Sequence, residues 1–277
     1  MIRTNLADNQ ELRSCACLPV EAGEEGTVSE DLLVGATWSC PTQDLLTALE
    51  TLGRVGFREV EVWAEGYHLD PRVAPNVPAV RERLDRLSLS VRSVHLPFEH
   101  VLPAAPAADR ARAWVRLCAR TLEYAEMLGA GIAVAHPVLF ADAGECHAHA
   151  VDRFVSAADV IGAHAEERGI QLALENMHTL RGPTLRSVAE LVVVLGRMTR
   201  GAGVCVDVGH AVFNGFVDDR LAGEIVPGDG IVNWPSALAA YRSIGYAGRH
   251  VVEVEGGDDP LANLTRARAH LLGAMSV

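Results

Sequence analysis

From Leu32 onward, short β-rich apolar runs alternate with longer stretches in which apolar residues recur every three or four positions. The short runs predict strands at Leu32–Ala36, Arg58–Trp63, Ser90–His95, Gly131–His136, Gln171–Glu175, Gly203–Asp207 and His250–Glu255. The longer stretches predict helices at Gln43–Val55, Val77–Leu87, Ala107–Leu128, His147–Arg168, Leu185–Met198, Pro235–Ile244 and Pro260–Leu272. Gly56, Gly129, Gly169 and Gly245 fall where a helix should stop and turn into the next strand. Alternation of strand and helix specifies a parallel sheet with right-handed crossovers. A chain of 277 residues suffices for one closed α/β barrel of the TIM (β/α)8 type.

Seven strands are visible where such a barrel needs eight. Strand starts at 32, 58, 90, 131, 171 and 203 are evenly spread, but the last interval, from 203 to 250, must hold two strand–helix units. A crossover alone takes ~10–12 residues, and Ile225-Val226 is the only β-branched pair between Phe216 and the turn Pro227-Gly228-Asp229-Gly230. The seventh strand is therefore missing, very short or supplied from elsewhere. Residues 1–31 read as an amino-terminal extension, because Ala7–Glu11 and Glu21–Asp31 are polar or acidic and aperiodic; the barrel domain is expected over 32–277. An unpaired strand edge is an aggregation liability. This makes Leu12–Val20, with its short Cys15–Leu18 run, a candidate to cover the edge within one chain or across a dimer.

Six of the runs end in a residue able to bind a metal or move a proton: Val60-Glu61, Val94-His95, Ala135-His136, Leu174-Glu175, Val206-Asp207 and Val252-Glu253. Adjacent strand ends of a barrel converge on one cavity. A lone buried carboxylate is costly, so Glu175 and Asp207, which end otherwise buried runs, carry the strongest assignment. Glu253 follows, sharing a strand face with Glu255. His95 and His136 are expected to line the pocket, with histidines hydrogen-bonded to neighbouring strands as the alternative. His210, in the loop after Asp207, is the expected further ligand or substrate contact. Glu61, Trp38 and His178 complete the substrate-binding set, Glu61 having an equally good structural reading. Three carboxylates with an open position suit Mg²⁺ or Mn²⁺ better than Zn²⁺. Two carboxylates facing each other across a hydroxy ketone can take a proton from one carbon and return it to the same or the neighbouring one.

The balance of charge narrows the partners. With 36 acidic and 24 basic residues the formal charge is −12, which opposes a phosphate backbone. No run approaches the ~18 apolar residues of a membrane span, and Met1–Gln10 lacks the apolar core of a signal peptide, so a soluble cytoplasmic protein is expected. Cys15, Cys17, Cys40, Cys118, Cys146 and Cys205 are irregularly spaced, which predicts free thiols rather than a disulfide framework.

Thr37-Trp38-Ser39, Gly56-Phe57 leading to Val60-Glu61, His95-Leu96-Pro97, His136-Pro137, Leu174-Glu175-Asn176, Asp207-Val208-Gly209-His210, Gly228-Asp229-Gly230 with Trp234, and Gly245-Tyr246 leading to Val252-Glu253 occur in this order. Together they resemble the xylose-isomerase-like TIM barrels. That superfamily joins sugar and sugar-phosphate isomerases, ketose 3-epimerases, inosose dehydratases and hydroxypyruvate isomerases with AP endonucleases. In its isomerases a divalent cation is held by a Glu, an Asp, a His and a Glu from strands five to eight, and the two Glu residues also move protons. The resemblance assigns Glu175, Asp207 and Glu253 to this set and implies Glu175 and Glu253 as catalytic. The strand-seven His has no counterpart, which leaves His210 as the substitute ligand. The leading expectation is an isomerase or epimerase of a small polyhydroxylated or hydroxy-keto substrate with a divalent metal (Mn, Mg, Co or Zn). A metal-independent barrel repurposed for proton transfer, dehydration or cyclisation of a bulkier substrate is the second reading, and a non-catalytic binding or partner subunit the third. The endonuclease reading is disfavoured by the net charge and by sparse arginines near the rim loops, Arg72, Arg110 and Arg220. A small-molecule partner is expected, with a homodimer as the default assembly.

Overall fold

The computed structural model describes residues 2–5, 30–98, 105–178, 185–215, 226–230, 232–255 and 257–276. Seven parallel strands follow one another around a barrel: β2 (Leu33–Ala36), β3 (Glu59–Trp63), β4 (Ser90–His95), β5 (Ile132–Ala135), β6 (Gln171–Glu175), β7 (Ala202–Asp207) and β8 (His250–Val252). Between and after them run α1 (Leu45–Val55), α2 (Val77–Leu87), α3 (Ala107–Leu128), α4 (His147–Glu166), α5 (Val188–Leu195), α6 (Val208–Phe213), α7 (Trp234–Ser243) and α8 (Pro260–Met275). The helix starts follow from local chemistry. Asp44 caps α1 by accepting from the Thr47 amide, Ser187 and Glu190 form a capping box on α5, and α2, α7 and α8 begin with an Asn or Asp cap and a proline in the first turn.

The ring closes through β1 (Ile2–Asn5), which lies antiparallel between β7 and β8. Its register sets Arg3 opposite Asp207 on one side and Val251 on the other, with Ile2 opposite Val252 and Asn5 opposite Cys205. Residues 2–5 of the amino-terminal extension are thus a strand of the barrel, and residues 6–29 lie outside the described residues. Four residues, two of them Arg and Asn, give too short an alternation to mark a strand, and their partners lie near the other end of the chain. The segment Leu12–Val20, expected to cover an open edge, lies outside the described residues. Among the described residues between Asp207 and His250 there is no strand, only α6 and α7.

Strand residues alternate between two apolar environments. Leu33, Val60, Val62, Val94, Leu172, Leu174, Val204 and Val252 join Leu49, Leu52, Leu122, Ile161 and Leu264 of the helices in one core; each such side chain, fully buried, contributes roughly 1.5–3 kcal/mol. Their in-between neighbours form two small separate clusters, Ile132, Val134, Ala173 and Cys205, and Val34, Ala36 and Val251. These fill the barrel interior. Gly35 marks where α1 and the following turn press closest on the sheet, since a Cβ there would meet Phe57 Cδ2 at 2.7 Å and Leu52 Cδ2 at 2.8 Å. No helix among the described residues is long and apolar enough to cross a membrane.

Candidate functional site

The interior parity runs on into chemistry at the rim. Continuing in steps of two from the interior apolar residues reaches His136 from Val134, Glu175 from Ala173, Asp207 from Cys205 and Glu253 from Val251. On β4 the parity needs a correction. Val60 pairs with Val91 but Glu61 pairs with Ser93, a register shift that gives β4 one extra residue, Arg92. Bulges of this kind re-aim the side chains beyond them. Here the shift brings Ser93 and His95 onto the inner face, where Ser93 Oγ donates to Glu61 Oε2 at 2.8 Å.

Glu175 is the hub. Its Oε2 lies 3.4 Å from His95 Nε2 and 3.7 Å from His136 Nε2, and the two imidazole nitrogens are 3.2 Å apart. Its Oε1 lies 3.4 Å from His210 Nδ1, which is 3.8 Å from Asp207 Oδ2. Two donor groups therefore share one carboxylate: His95, His136 and Glu175, and Glu175, Asp207 and His210. Glu175 is 1% exposed and Asp207 0%; burial this deep makes a counter-charge necessary if the acids are ionised.

Backbone carbonyls orient two of the histidines: His95 Nδ1 donates to the Leu96 carbonyl at 2.9 Å and His210 Nδ1 to that of Asn176 at 2.8 Å. Burial pushes the pKa of His136 down to about 3, although the neighbouring Glu175 acts in the opposite direction, so this ring is neutral at physiological pH. Neutral imidazole is the form that ligates metals. Two donors on one ion, at bonds of ~2.0–2.2 Å, lie ~3–3.5 Å apart. In the first donor group two separations, 3.2 and 3.4 Å, fall in that span and the third, 3.7 Å, lies just beyond it.

Asn176 stabilises the second group. Its amide donates to the Asp207 carbonyl at 2.9 Å, and its Oδ1 accepts from the Asp207 amide at 2.7 Å. This side chain continues the β6–β7 ladder by one step, pinning the Asp207 backbone. Asp207 in turn caps α6 through the His210 amide at 2.7 Å. His210 thus belongs to a short helix and not to the loop expected from sequence.

The other residues singled out from the sequence take different places. His178 packs edge-on to His210 at 4.8 Å between centroids and against Phe213, while Phe98 lies over His136 at 4.2 Å and near His95 at 5.2 Å. Glu61 is buried beside Ser93, in neither donor group. Glu253 is buried one residue beyond β8 and is also in neither group; the next amide, Val254, donates to Ser39 Oγ at 2.9 Å. Trp38 sits partly exposed in the single turn Thr37–Ser39 after β2. His95 and His136, read from sequence as pocket lining, thus stand in a donor group with Glu175. Asn176 escapes the sequence reading, and its one signal is the polar pair Glu175-Asn176 ending an apolar run. Among the described cysteines Cys40, Cys118, Cys146 and Cys205 are free thiols.

Solved structures with the same architecture include a D-tagatose 3-epimerase-like protein, with TM-score 0.74 at 21% identity over 87% of this chain and 96% of that one. A D-allulose 3-epimerase from Methylomonas sp. matches with TM-score 0.69 at 16% identity, covering 87% and 97% of the two chains. An AP endonuclease, family 2, from Brucella melitensis matches with TM-score 0.62 at 16% identity, covering 84% and 96%. At such identities the likeness is one of fold. No curated protein sequence matches the chain. The family model described as xylose isomerase-like TIM barrel matches residues 49–225, more than half of the sequence, and the chain belongs to that family.

Proposed function

We propose that the protein is a divalent-cation-dependent isomerase or epimerase of a small polyhydroxylated or hydroxy-keto substrate. The observation that supports this most is the pair of donor groups joined through Glu175 at the barrel rim. His95, His136, Glu175 and Asp207 are the residues that would hold the ion, a mixed imidazole–carboxylate set suited to Mn²⁺, Co²⁺ or Zn²⁺. When bound, such an ion supplies a Lewis acid for neighbouring substrate oxygens. Glu175, which ends β6, and Glu253, one residue beyond β8, are the acid and base: one takes the proton next to the carbonyl and the other delivers it. Return to the same carbon from the opposite side is epimerisation, and return to the neighbouring carbon is aldose–ketose isomerisation. His210, its Nδ1 engaged by the Asn176 carbonyl, offers its Nε2 to a substrate hydroxyl, and Phe98, His178 and Phe213 wall the site from water. The net charge of −12 favours a small-molecule over a nucleic-acid substrate.

The names of the structural neighbours make ketoses the first compounds to try. Wild type and Glu175→Gln are analysed for metal and for Mn²⁺ binding, then incubated with D-tagatose and D-allulose in ²H₂O and followed by NMR. The expected result is stoichiometric Mn²⁺ binding, reduced at least tenfold in the variant, with deuterium entering beside the carbonyl only in wild type. Wild type that binds no Mn²⁺ and exchanges no proton on any ketose or aldose tested would overturn the proposal.

A further inference from the structure

Backbone pairing between β2 and β8 stops short of the chemistry, and hydroxyl groups carry it on. The last pair of that ladder is Gly35 with Val252. After Ala36 the chain leaves the sheet in the single turn Thr37–Ser39, and two hydroxyls of this turn serve the strands on either side. Thr37 Oγ1 accepts from the Trp63 amide at the end of β3, and Ser39 Oγ accepts from the Val254 amide beyond β8, each at 2.9 Å. Ser39 and Val254 are both 0% exposed. A buried amide needs an acceptor from the protein itself where water does not reach it. Glu253 therefore lies between two anchored neighbours. Val252 pairs with β2, Val254 is bonded to Ser39, and both valines pack into the core shared with the helices. The period of two then turns Glu253 to the opposite, interior face, where it is buried.

We propose that Ser39 is a positioning residue of the site: its hydroxyl, acting through the Val254 amide, holds Glu253 where it exchanges protons with the substrate. The inference rests on the reading of Glu253 as acid or base and adds what fixes it in place. Alanine at this position removes one of the two anchors and leaves a buried amide without its acceptor, so the segment must shift to satisfy it. A reacting group displaced by about 1 Å costs on the order of 100-fold in rate. Glu253 belongs to neither donor group, so Ser39 serves turnover and not the cation, whereas Asn176 acts on Asp207, a member of one group. A merely structural role for Ser39 predicts lost stability with the rate unchanged.

The test compares wild type, Ser39→Ala, Ser39→Cys, whose sulfur is a weak acceptor, and Asp44→Ala, which removes the cap of α1 and controls for lost stability. Labelling with [δ-¹³C]glutamate gives the Glu253 carboxyl signal, identified by its loss in Glu253→Gln. Turnover is read as deuterium exchange into D-tagatose and D-allulose, with Mn²⁺ affinity measured alongside. The expected result for Ser39→Ala is a displaced or broadened Glu253 signal and a kcat about 10–100-fold lower, with KM and Mn²⁺ affinity within about threefold of wild type. Ser39→Cys shows the same changes in smaller measure, and Asp44→Ala keeps the wild-type signal and kcat. A wild-type signal or kcat in folded Ser39→Ala, or equal changes in Asp44→Ala, overturns the inference. Should Ser39→Ala not fold, Ser39→Cys decides by the same readings; failure of both to fold shows that the hydroxyl serves the fold rather than Glu253 and overturns the inference. Wild type that exchanges no proton on any ketose or aldose tested overturns the reading of Glu253 as acid or base. In that case a displaced signal in Ser39→Ala still supports the positioning, and a wild-type signal overturns it.

Discussion

Replacing Asn176 by Ala removes a side chain that bonds both backbone groups of Asp207, the amide at 2.7 Å and the carbonyl at 2.9 Å. Asn176 is 2% exposed and Asp207 0%, so water cannot take over without local opening. An orphaned buried donor or acceptor costs about 1–3 kcal/mol, and two of them give an expected loss of about 2–5 kcal/mol. A chain of this size loses roughly 2–4 °C of Tm per kcal/mol, which puts the shift at about 4–20 °C. The position of Asp207 depends on the same two bonds, so Mn²⁺ affinity falls as well, by about 10–100-fold as for other residues that orient a ligand. Urea unfolding followed by circular dichroism, with Mn²⁺ titration below the transition, measures both. Asn176→Asp separates geometry from charge: one oxygen still accepts from the Asp207 amide, but the other faces the Asp207 carbonyl and repels it. A stability within about 0.5 kcal/mol of wild type for Asn176→Ala, with unchanged Mn²⁺ affinity, would refute the argument that this bridge holds the rim together.

Gly35→Ala places a methyl group 2.7 Å from Phe57 and 2.8 Å from Leu52, and overpacking of this kind costs about 1–3 kcal/mol; thermal unfolding that shows no loss would mean α1 is held less tightly against β2 than the contacts require. Stability also depends on pH through two buried histidines. Burial lowers the pKa of His136 to about 3 and that of His250 to about 4, both below the ~6.5 of the unfolded chain. The unfolded state therefore binds more protons below pH 6.5, and stability that is fully present above that value is lost as pH falls toward 4, at up to ~1.4 kcal/mol per pH unit for each group. His250→Asn should flatten the slope of the urea midpoint between pH 6.5 and 4.5. Parallel slopes for variant and wild type would remove His250 from the explanation.

Much of the site was legible because a period of two is rigid. Once Leu172–Leu174 and Val204–Val206 are read as strand bodies, the faces of Glu175 and Asp207 follow, and the same holds for His136 and Glu253. The boundaries of α2 and α3 were equally readable, since Asn76 with Pro78 and the run to Gly129 leave little choice. What was not legible was either non-local or a departure from the period. β1 is defined by partners at the far end of the chain, and the extra residue Arg92 on β4 shows itself only in the pairing with β3. The part played by Asn176 follows from its distance to a backbone 31 positions on. That His95 and His136 meet over one oxygen of Glu175 is likewise a matter of strand order, which decides which rim residues become neighbours.

A strand borrowed from the amino terminus also gives the chain an unusual schedule. Ile2–Asn5 leave the ribosome long before their partners, since β7 begins at Ala202 and β8 at His250. At ~5–20 residues per second of synthesis, the segment waits about 10–50 s for its two neighbours. β2 to β7 each meet a sequential partner as soon as one helical crossover has been made, whereas β8 pairs with β2 and β1, so the ring shuts only when β1 has met both β7 and β8. Long-range closure of this kind is the slow step in folding. Residues 2–5 are thus fixed long after they are made, and the acidic rim they border is assembled only once β7 and β8 have both been synthesised.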